Sequence, residues 1–249
     1  NHAYYFATLK NMLNLIEVTN KQKEVRIGRG KAPRAIKKIE FKNITFTYED
    51  ANTDILKNFS CVIKGGKING IIGKSGSGKT TLVNMIPRLI EPKEGNIFIN
   101  NRNLIDIDVR ELRNICAYIE QKPSFIRGRI LEHITYSNLK INLEQVKKAA
   151  KLTKADNFIK NLPDQYFHEL GESGTGLSGG QLQRLDITRG LASKNPIMIL
   201  DEPTNNLDNE NANEILLTLK NINKLHKTTI ILVTHDNKAL KYCDHIIKI

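Results

Sequence analysis

Long apolar runs are missing from this sequence of 249 residues. The longest ones, at residues 197–200 and 229–233, have the length of a strand, whereas a membrane-spanning helix requires about 18 or more apolar residues. No signal peptide is visible either, and the chain begins with Asn1 rather than Met, as a fragment of a longer protein would. These absences predict a globular domain without a membrane span within this stretch.

Cysteines are scarce, and acidic residues are fewer than basic ones. Cys61, Cys116 and Cys243 lie too far apart in sequence to form a metal-binding pair, so we expect reduced, buried thiols of a cytosolic protein. Lysine and arginine total 38 against 26 aspartate and glutamate, which gives a net charge of +12. Such a charge would suit a polyanion or an anionic membrane surface. Because the lysines are spread along the chain, we favour the simpler interpretation of solvated surface lysines.

Hydrophobic spacing divides the chain into an N-terminal helix, a linker and a mixed α/β domain. Apolar residues at three- and four-residue steps predict a helix over residues 3–16, and a basic, glycine-containing segment up to residue 38 indicates a linker. Alternation at Ile44, Phe46 and Tyr48 predicts a half-buried strand, and a second strand near residues 55–63 predicts an antiparallel start.

Strands that alternate with helices follow, and this order predicts a parallel sheet covered on both faces. The extended segments are residues 67–72, 96–99, 117–119, 196–200, 228–233 and 245–249, and the first helices are residues 80–89 and 109–113. Residues 125–190 show mostly helical periodicity and no clear strand. The expected fold over residues 39–249 is an α/β P-loop domain whose core has a mixed sheet, with an antiparallel β subdomain and a helical subdomain at about 125–190. Residues 1–38 precede this domain.

Residues 73–80 match the phosphate-binding pattern G-x-x-x-x-G-K-[ST] without a mismatch, between a predicted strand and a predicted helix. Glycines let the backbone curl so that consecutive N–H groups point at phosphate oxygens. Lys79 can then reach the outer phosphates and Thr80 can ligate Mg²⁺, whereas a plain glycine turn would need neither residue. The candidate nucleotide-binding residues here are Gly73, Lys74, Ser75, Gly76, Ser77, Gly78, Lys79, Thr80 and Thr81.

Polar residues that follow other strands complete this candidate site. Asp201 and Glu202 end a buried strand, and the carboxyl ends of parallel strands meet at one sheet edge. We expect Asp201 to hold Mg²⁺ and Glu202 to polarise an attacking water, although an isolated acidic pair more often caps a helix. His235 follows the next strand and is placed to contact a γ-phosphate, and Gln121 can bring an amide to the metal and the water.

A second glycine loop, GLSGGQ at residues 176–181, lacks a lysine. Ser178 and Gln181 form a capping-box pattern at the start of a helix. Gly179 and Gly180 weaken a first helical turn, yet with the serine hydroxyl they make an anion cradle. Because we expect this loop to lie far from residues 73–80, it could serve the nucleotide of a second copy.

With GLSGGQLQR at residues 176–184, the sequence resembles the ATP-binding cassette (ABC) ATPases over residues 39–249. Other motifs of that family are matched in order by Tyr48 (the loop that stacks on adenine, unless Tyr48 is only a core aromatic), residues 73–80 (Walker A), Gln121 (Q-loop), Asp201 (Walker B), the catalytic Glu202, residues 205–208 (D-loop) and the switch residue His235. The resemblance implies a Mg²⁺-dependent ATPase in which Lys79, Glu202 and His235 act in catalysis. It also implies head-to-tail pairing with a second copy or a homologous domain around two ATPs, with partner contacts from Ser178, Gly179, Gly180, Gln181 and Asp208.

Within that family, residues 125–134 and 168–174 are similar to exporter segments, and almost forty residues precede the first strand, where exporters have the end of a membrane helix and a linker. The resemblance therefore implies a transmembrane domain upstream in the full-length chain and a place on the cytoplasmic face of a membrane. Asp186, Thr188 and Gly190 depart from the small apolar residues that exporters more often have. An importer ATPase subunit and a soluble ABC ATPase acting on nucleic acid or ribosomes stay open as alternatives. Neither a coiled-coil insertion nor a second cassette is present, so we expect no nucleic acid partner.

Overall fold

The computed structural model describes residues 28–249, except residues 50, 122–124, 126, 137, 172–173 and 206. The helix predicted over residues 3–16 and the first part of the predicted linker lie outside these residues. In the described part of the linker, Gly30 forms a parallel bridge with Ile107 and donates its N–H to the Asp106 carbonyl at 3.1 Å. This end of the predicted linker therefore lies against the domain.

An antiparallel sheet follows the linker. Its strands are β1 (Lys38–Phe46), β2 (Leu56–Lys64), β4 (Glu94–Ile99) and β5 (Arg102–Asn103), in the order β2-β1-β4-β5. The predicted antiparallel start is confirmed, because β1 pairs with β2 from Lys38 to Phe46. The prediction that Tyr48 belongs to this strand is wrong. Pairing ends at Phe46 with Leu56, so Tyr48 lies two residues beyond β1.

A second sheet is entirely parallel, so the core sheet is not mixed as predicted: the antiparallel and the parallel strands form separate sheets. It contains β3 (Ile68–Ile72), β6 (Cys116–Ile119), β9 (Ile197–Asp201), β10 (Thr229–Val233) and β11 (His245–Lys248), in the order β11-β3-β10-β9-β6. At the carboxyl edge, Val233 of β10 is in register with Asp201 of β9 on one side and with Ile71 of β3 on the other. The chain segments that leave β3, β9 and β10 therefore emerge side by side.

The helix that follows β3 is shorter than predicted. It is α1 (Lys79–Asn84), whereas the apolar spacing indicated a helix over residues 80–89. Pro87 has no N–H and disfavours helical backbone at the preceding residue, so a regular helix cannot continue through it. The chain tightens instead, with Met85 and Ile86 donating to the carbonyls three residues earlier. The next helix is α2 (Val109–Asn114), close to its predicted bounds.

Residues 125–190 are mostly helical, as expected. The helices are α3 (Ile130–Thr135), α4 (Leu143–Leu152), α5 (Ala155–Ile159) and α6 (Gly179–Ala192). The expectation of no strand is wrong for β7 (Gly128–Arg129) and β8 (Glu169–Leu170), which pair with each other antiparallel. Two-residue strands are too short to show an alternating pattern in the sequence. The remaining helices, α7 (Asn209–His226) and α8 (Asn237–Leu240), pack beside the parallel sheet.

Buried side chains of the parallel sheet alternate between two apolar clusters. Met198 and Leu200 pack with the helical subdomain, whereas Ile197 and Ile199 pack with the antiparallel sheet and α1. Both faces are thus covered, which explains why these strands read as continuous apolar runs. Within the described ranges, none of the helices combines the length and apolar character that crossing a membrane would need.

Candidate nucleotide-binding site

The loop at residues 73–80 joins β3 to α1, as its pattern predicts. Gly76 and Gly78 have φ angles of +78° and +94°, in the left-handed region that favours glycine. A Cβ at Gly78 would also lie 2.8 Å from Ile55 Cγ2, so a side chain here would be strained and crowded. Glycines at positions 76 and 78 therefore allow the curled conformation of this loop.

Lys79 lies within this curl and is 7% exposed. Its Nζ donates to the carbonyls of Gly73 at 3.1 Å and of Lys74 at 2.8 Å. These bonds hold the ammonium group against the loop whose N–H groups are expected to bind phosphate. The charge of Lys79 acts on the nearby Asp201 carboxyl, but none of the salt bridges among the described residues involves this buried lysine, a placement that suits an anionic ligand.

Thr80 and Asp201 meet across the sheet edge. Thr80 Oγ1 donates to Asp201 Oδ2 at 2.7 Å, and Asp201 is the last residue of β9. Burial raises the pKa of the Asp201 carboxyl above its ordinary value, the hydrogen bond from Thr80 opposes this, and the negative charge of Glu202 adds to it. A hydroxyl and one carboxylate are oxygen ligands of the kind that Mg²⁺ takes together with substrate phosphates. The described residues contain no group of three or more His, Cys, Asp or Glu that could hold a metal.

Glu202 is held by three side chains from separate segments. Gln121 Nε2 lies 3.1 Å from Glu202 Oε2, His235 Nδ1 lies 3.1 Å from Oε1, and Asn205 Nδ2 lies 3.2 Å from Oε2. Glu202 has a left-handed φ of +47°, and its N–H donates to the Val233 carbonyl at 2.9 Å. The chain therefore turns sharply at the end of β9, and the carboxylate stays beside the residues that follow β6 and β10.

Asn205 is the contact to Glu202 that sequence reasoning missed. Asn205 belongs to the D-loop motif, which the family resemblance associates with the partner interface and not with the carboxylate three residues earlier. The three-residue separation of Glu202 and Asn205 would have predicted this side-chain contact only if the turn between them had been recognised. That turn is marked by a hydrogen bond from Asn205 N–H to the Glu202 carbonyl at 3.0 Å.

Tyr48 reaches the helix that follows the phosphate loop. Its hydroxyl lies 2.9 Å from Thr81 Oγ1, and Phe46 contacts its ring edge-on with centroids 4.9 Å apart. The side chain is 43% exposed, so the alternative of a buried core aromatic is not what the structure has. A partly exposed aromatic ring beside the phosphate loop is suited to stacking on a base.

The second glycine loop begins α6. Ser178 is the N-cap: its hydroxyl accepts from Gln181 N–H at 3.3 Å, and Gln181 Oε1 accepts from Ser178 N–H at 2.9 Å, so the capping box is present. Ser178 and Gly179 are exposed. No side-chain hydrogen bond among the described residues links Ser178 or Gln181 to residues 73–80.

Helix α7, which follows the D-loop motif, starts next to the second glycine loop. A Cβ at Gly180 would lie 3.5 Å from Asn211 Oδ1, and Asp208 caps α7 by accepting from Asn211 N–H at 2.9 Å. Hydrogen bonds from the backbone and side chain of Asn211 hold the pKa of Asp208 below its ordinary value. The starts of α6 and α7 therefore share one surface.

This fold, with a strand–loop–helix phosphate site and carboxylates at the adjacent strand ends, defines a P-loop nucleotide-binding domain. The family model described as ABC transporter matches residues 56–205, more than half of the chain, and the chain belongs to this family. The predicted ABC ATPase fold and the recognition of an exporter-type ATP-binding domain are thereby confirmed at the level of the family.

Proteins similar to this chain include a flippase, a translocation protein and an exporter. An ATP-dependent lipid A-core flippase of Syntrophus aciditrophicus is 36% identical over 86% of this chain and 35% of its own length. The alpha-hemolysin translocation ATP-binding protein HlyB of Escherichia coli O157:H7 is 36% identical over 93% of this chain and 32% of its own length. A bacterial Atm1-family ABC exporter solved with ATP bound superposes with a TM-score of 0.83 at 27% identity, covering 98% of this chain and 43% of that one. The chain thus spans about a third of the two curated relatives.

Proposed function

We propose that this chain is the ATP-hydrolysing domain of an ABC exporter. The observation that carries this proposal is the position of Glu202, one residue after the buried Asp201 and held by Gln121, Asn205 and His235. Three hydrogen-bonding side chains fix a carboxylate beside the phosphate loop, where a water that attacks a γ-phosphate must be oriented.

ATP binding would use the loop, the lysine and the tyrosine. Backbone N–H groups of residues 73–80 would donate hydrogen bonds to the phosphate oxygens. Lys79 would exchange its carbonyl partners for phosphate oxygens, and Tyr48 would stack on adenine. Thr80 and Asp201 would hold Mg²⁺, which supplies charge that stabilises the transferring phosphoryl group. The 2.7 Å contact between them supports this assignment, because one ion can reach both oxygens only if they are neighbours.

In the chemical step, Glu202 would take a proton from the attacking water. His235 and Gln121, both bonded to Glu202, would keep that carboxylate and the water in line with the γ-phosphate. Lys79 would stabilise charge on the phosphoryl oxygens. Phosphoryl transfer depends chiefly on such positioning and on electrostatic stabilisation.

The active unit would be a head-to-tail dimer. Ser178, Gly179, Gly180 and Gln181 lie at the start of a 14-residue helix, on a surface shared with Asp208 and the start of α7. An exposed serine and glycine at such a position can bind the phosphates of a second chain's ATP. The partner would be another copy or a homologous domain, with Asp208 contacting it across the interface.

Membrane attachment is part of the same proposal. The two curated relatives are about three times as long as the matched segment and are described as a flippase and a translocation protein, and the similar solved structure is an ABC exporter. A transmembrane domain in the full-length protein would therefore couple this domain to transport, with the domain on the cytoplasmic face. The exporter relatives favour this assignment over an importer subunit or a soluble ATPase acting on nucleic acid or ribosomes.

Glu202→Gln tests the proposed chemistry. The change keeps size and removes the base, so the ATPase rate should fall by about 10²–10⁴-fold while a fluorescent ATP analogue still binds. Glu144→Gln, on the exposed face of α4, is the matched control and should keep the parent rate. Near-parent phosphate release by Glu202→Gln would show that another residue activates the water.

A further inference from the structure

A hydrogen-bonded pair, His133 and Asp186, is buried inside the helical subdomain. His133 Nε2 lies 3.0 Å from Asp186 Oδ1, and the two side chains are 1% and 2% exposed. Arg189 Nη2 lies 3.0 Å from the same carboxylate oxygen. The pair joins α3 to α6, the helix that starts at Ser178. A buried carboxylate is costly unless donors satisfy it, so each residue here requires the others.

An aromatic stack extends the pair toward the catalytic edge. The ring of Phe125 lies on the ring of His133, with centroids 4.3 Å apart and an interplanar angle of 25°. Phe125 follows four residues after Gln121, which donates to Glu202. Phe125 also lies next to Gly174, four residues before Ser178, where a Cβ would be 3.4 Å from the Phe125 ring.

The two ends of this arrangement belong to different halves of the proposed composite site. Gln121 and Glu202 act on the chain's own ATP, whereas Ser178 would act on the partner's ATP. Leu185 and Ile187 of α6 pack in the apolar cluster that also holds Ile130 and Ile134 of α3. The helix of the phosphate loop, α1, packs in the other cluster on the opposite face of the sheet. Displacing α6 therefore need not disturb the chain's own phosphate loop.

We propose that His133 is a positioning residue for Ser178. Bonded to Asp186 and stacked on Phe125, it fixes the rotation and axial position of α6 relative to α3 and Phe125. Asp186 lies eight residues from Ser178, about 12 Å along a helix, so a small rotation at Asp186 is carried to the serine hydroxyl. Groups at reacting sites must be held to within about 0.5 Å, and the pair supplies this constraint. The inference rests on the proposed composite site.

A purely structural role would also bury this pair, and Thr188 provides the matched comparison. Thr188 is fully buried on α6 and its Oγ1 lies 2.6 Å from Thr153 Oγ1, so it joins α6 to the end of α4. It has no ring contact with Phe125. Thr188→Val removes the two buried hydrogen bonds of this hydroxyl, to Thr153 and to the Arg184 carbonyl, and changes neither His133 nor Phe125.

The test uses Glu202→Gln protein as the parent, because this form should accumulate the ATP-bound dimer. His133→Leu removes the donor and the stack, and His133→Gln keeps an N–H donor. Phe125→Leu removes the stack while keeping an apolar side chain and the bond between His133 and Asp186. Two quantities are measured for each: the affinity of the monomer for a fluorescent ATP analogue, and the protein concentration that gives half dimer with ATP and Mg²⁺ in sedimentation. Thermal unfolding is followed in parallel.

His133→Leu should raise the half-dimer concentration by about tenfold or more, while the monomer's affinity for the analogue changes less than about twofold. Phe125→Leu should shift the dimer in the same direction by less, His133→Gln should recover part of the loss, and Thr188→Val should stay within about twofold of the parent. If His133→Leu does not fold, Phe125→Leu and His133→Gln decide the matter. Parent-like dimerisation of these variants, or an equal loss in Thr188→Val, would overturn the positioning role. Failure of the parent itself to dimerise would instead reject the composite site on which it rests.

Discussion

Replacing Asn69 by aspartate changes one side-chain group in the middle of the parallel sheet. Asn69 lies in β3, four residues before Gly73, and is fully buried. Its Oδ1 accepts from Lys64 N–H at 2.8 Å, and its Nδ2 donates to the carbonyls of Lys64 at 2.9 Å and Lys67 at 3.1 Å. Nδ2 also lies 3.3 Å from the Ile230 carbonyl of β10. One amide thus ties the β2–β3 turn to the strand that carries the phosphate loop.

The aspartate would place a second acceptor oxygen where Nδ2 faces these three carbonyls. Two lost hydrogen bonds cost about 1–3 kcal/mol, and an uncompensated buried charge adds about 3–5 kcal/mol. At about 2–4 °C per kcal/mol for a chain of this size, the Tm should fall by about 10 °C or more at pH 7. The carboxyl would be disfavoured in its charged form, so its folded pKa would exceed the unfolded value of about 3.9. The loss should therefore shrink as the pH falls through the folded pKa.

Thermal unfolding followed by circular dichroism at pH 5 and pH 7 measures both effects. Asn96→Asp, on the antiparallel sheet, is the control, because its side chain is exposed and accepts a single side-chain hydrogen bond from Asn103. A Tm for Asn69→Asp within about 2 °C of the parent at pH 7 would refute the argument, since it corresponds to less than about 1 kcal/mol.

Two further predictions concern the proposed ATP site. Asp201→Asn should raise the Tm at pH 7, because burial raises the pKa of Asp201 and so disfavours its ionised carboxylate in the folded state. This gain in Tm should fade as the pH falls through the folded pKa. The variant should also lose Mg²⁺-dependent ATPase activity. Melting curves without nucleotide between pH 5 and pH 8, together with rate measurements, check this, and a lower Tm at pH 7 would contradict it. Tyr48→Ala should weaken binding of a fluorescent ATP analogue by about 5–150-fold, the range for loss of one stacked base. Tyr48→Phe loses only the contact with Thr81 and should stay within about threefold. Equal losses in both variants would assign the role to the hydroxyl.

The residues that meet at the carboxyl edge of the parallel sheet could be predicted, because the strands before them are recognisable as buried apolar runs in the sequence. A parallel sheet places the ends of β3, β9 and β10 together, so Thr80, Asp201, Glu202 and His235 had to converge once those strands were recognised. Contacts of 2.7 Å between Thr80 and Asp201 and 3.1 Å between Glu202 and His235 follow. The roles given to these residues, and the boundary at residue 38, stay predictions.

Other features had no usable sequence signal. The turn after β9 imposes the left-handed backbone of Glu202, and the sequence has no glycine at this position that would have predicted a positive φ. The pairing of β7 with β8 is only two residues long. His133 and Asp186 are 53 residues apart, so only the packing of α3 on α6 makes them partners. The early end of α1 was foreseeable from Pro87, but the apolar spacing beyond it obscured that signal.

A mixture of two inactive proteins tests the composite site most directly. Ser178→Arg would block the surface offered to the partner's ATP, and Lys79→Ala would disable the chain's own phosphate loop. In a mixed dimer both lesions fall on one site and the other site is intact. Each variant alone should therefore hydrolyse almost no ATP, and an equimolar mixture should recover roughly a quarter of the parent rate with random pairing. A mixture no more active than the sum of its two components would contradict a site shared between two chains.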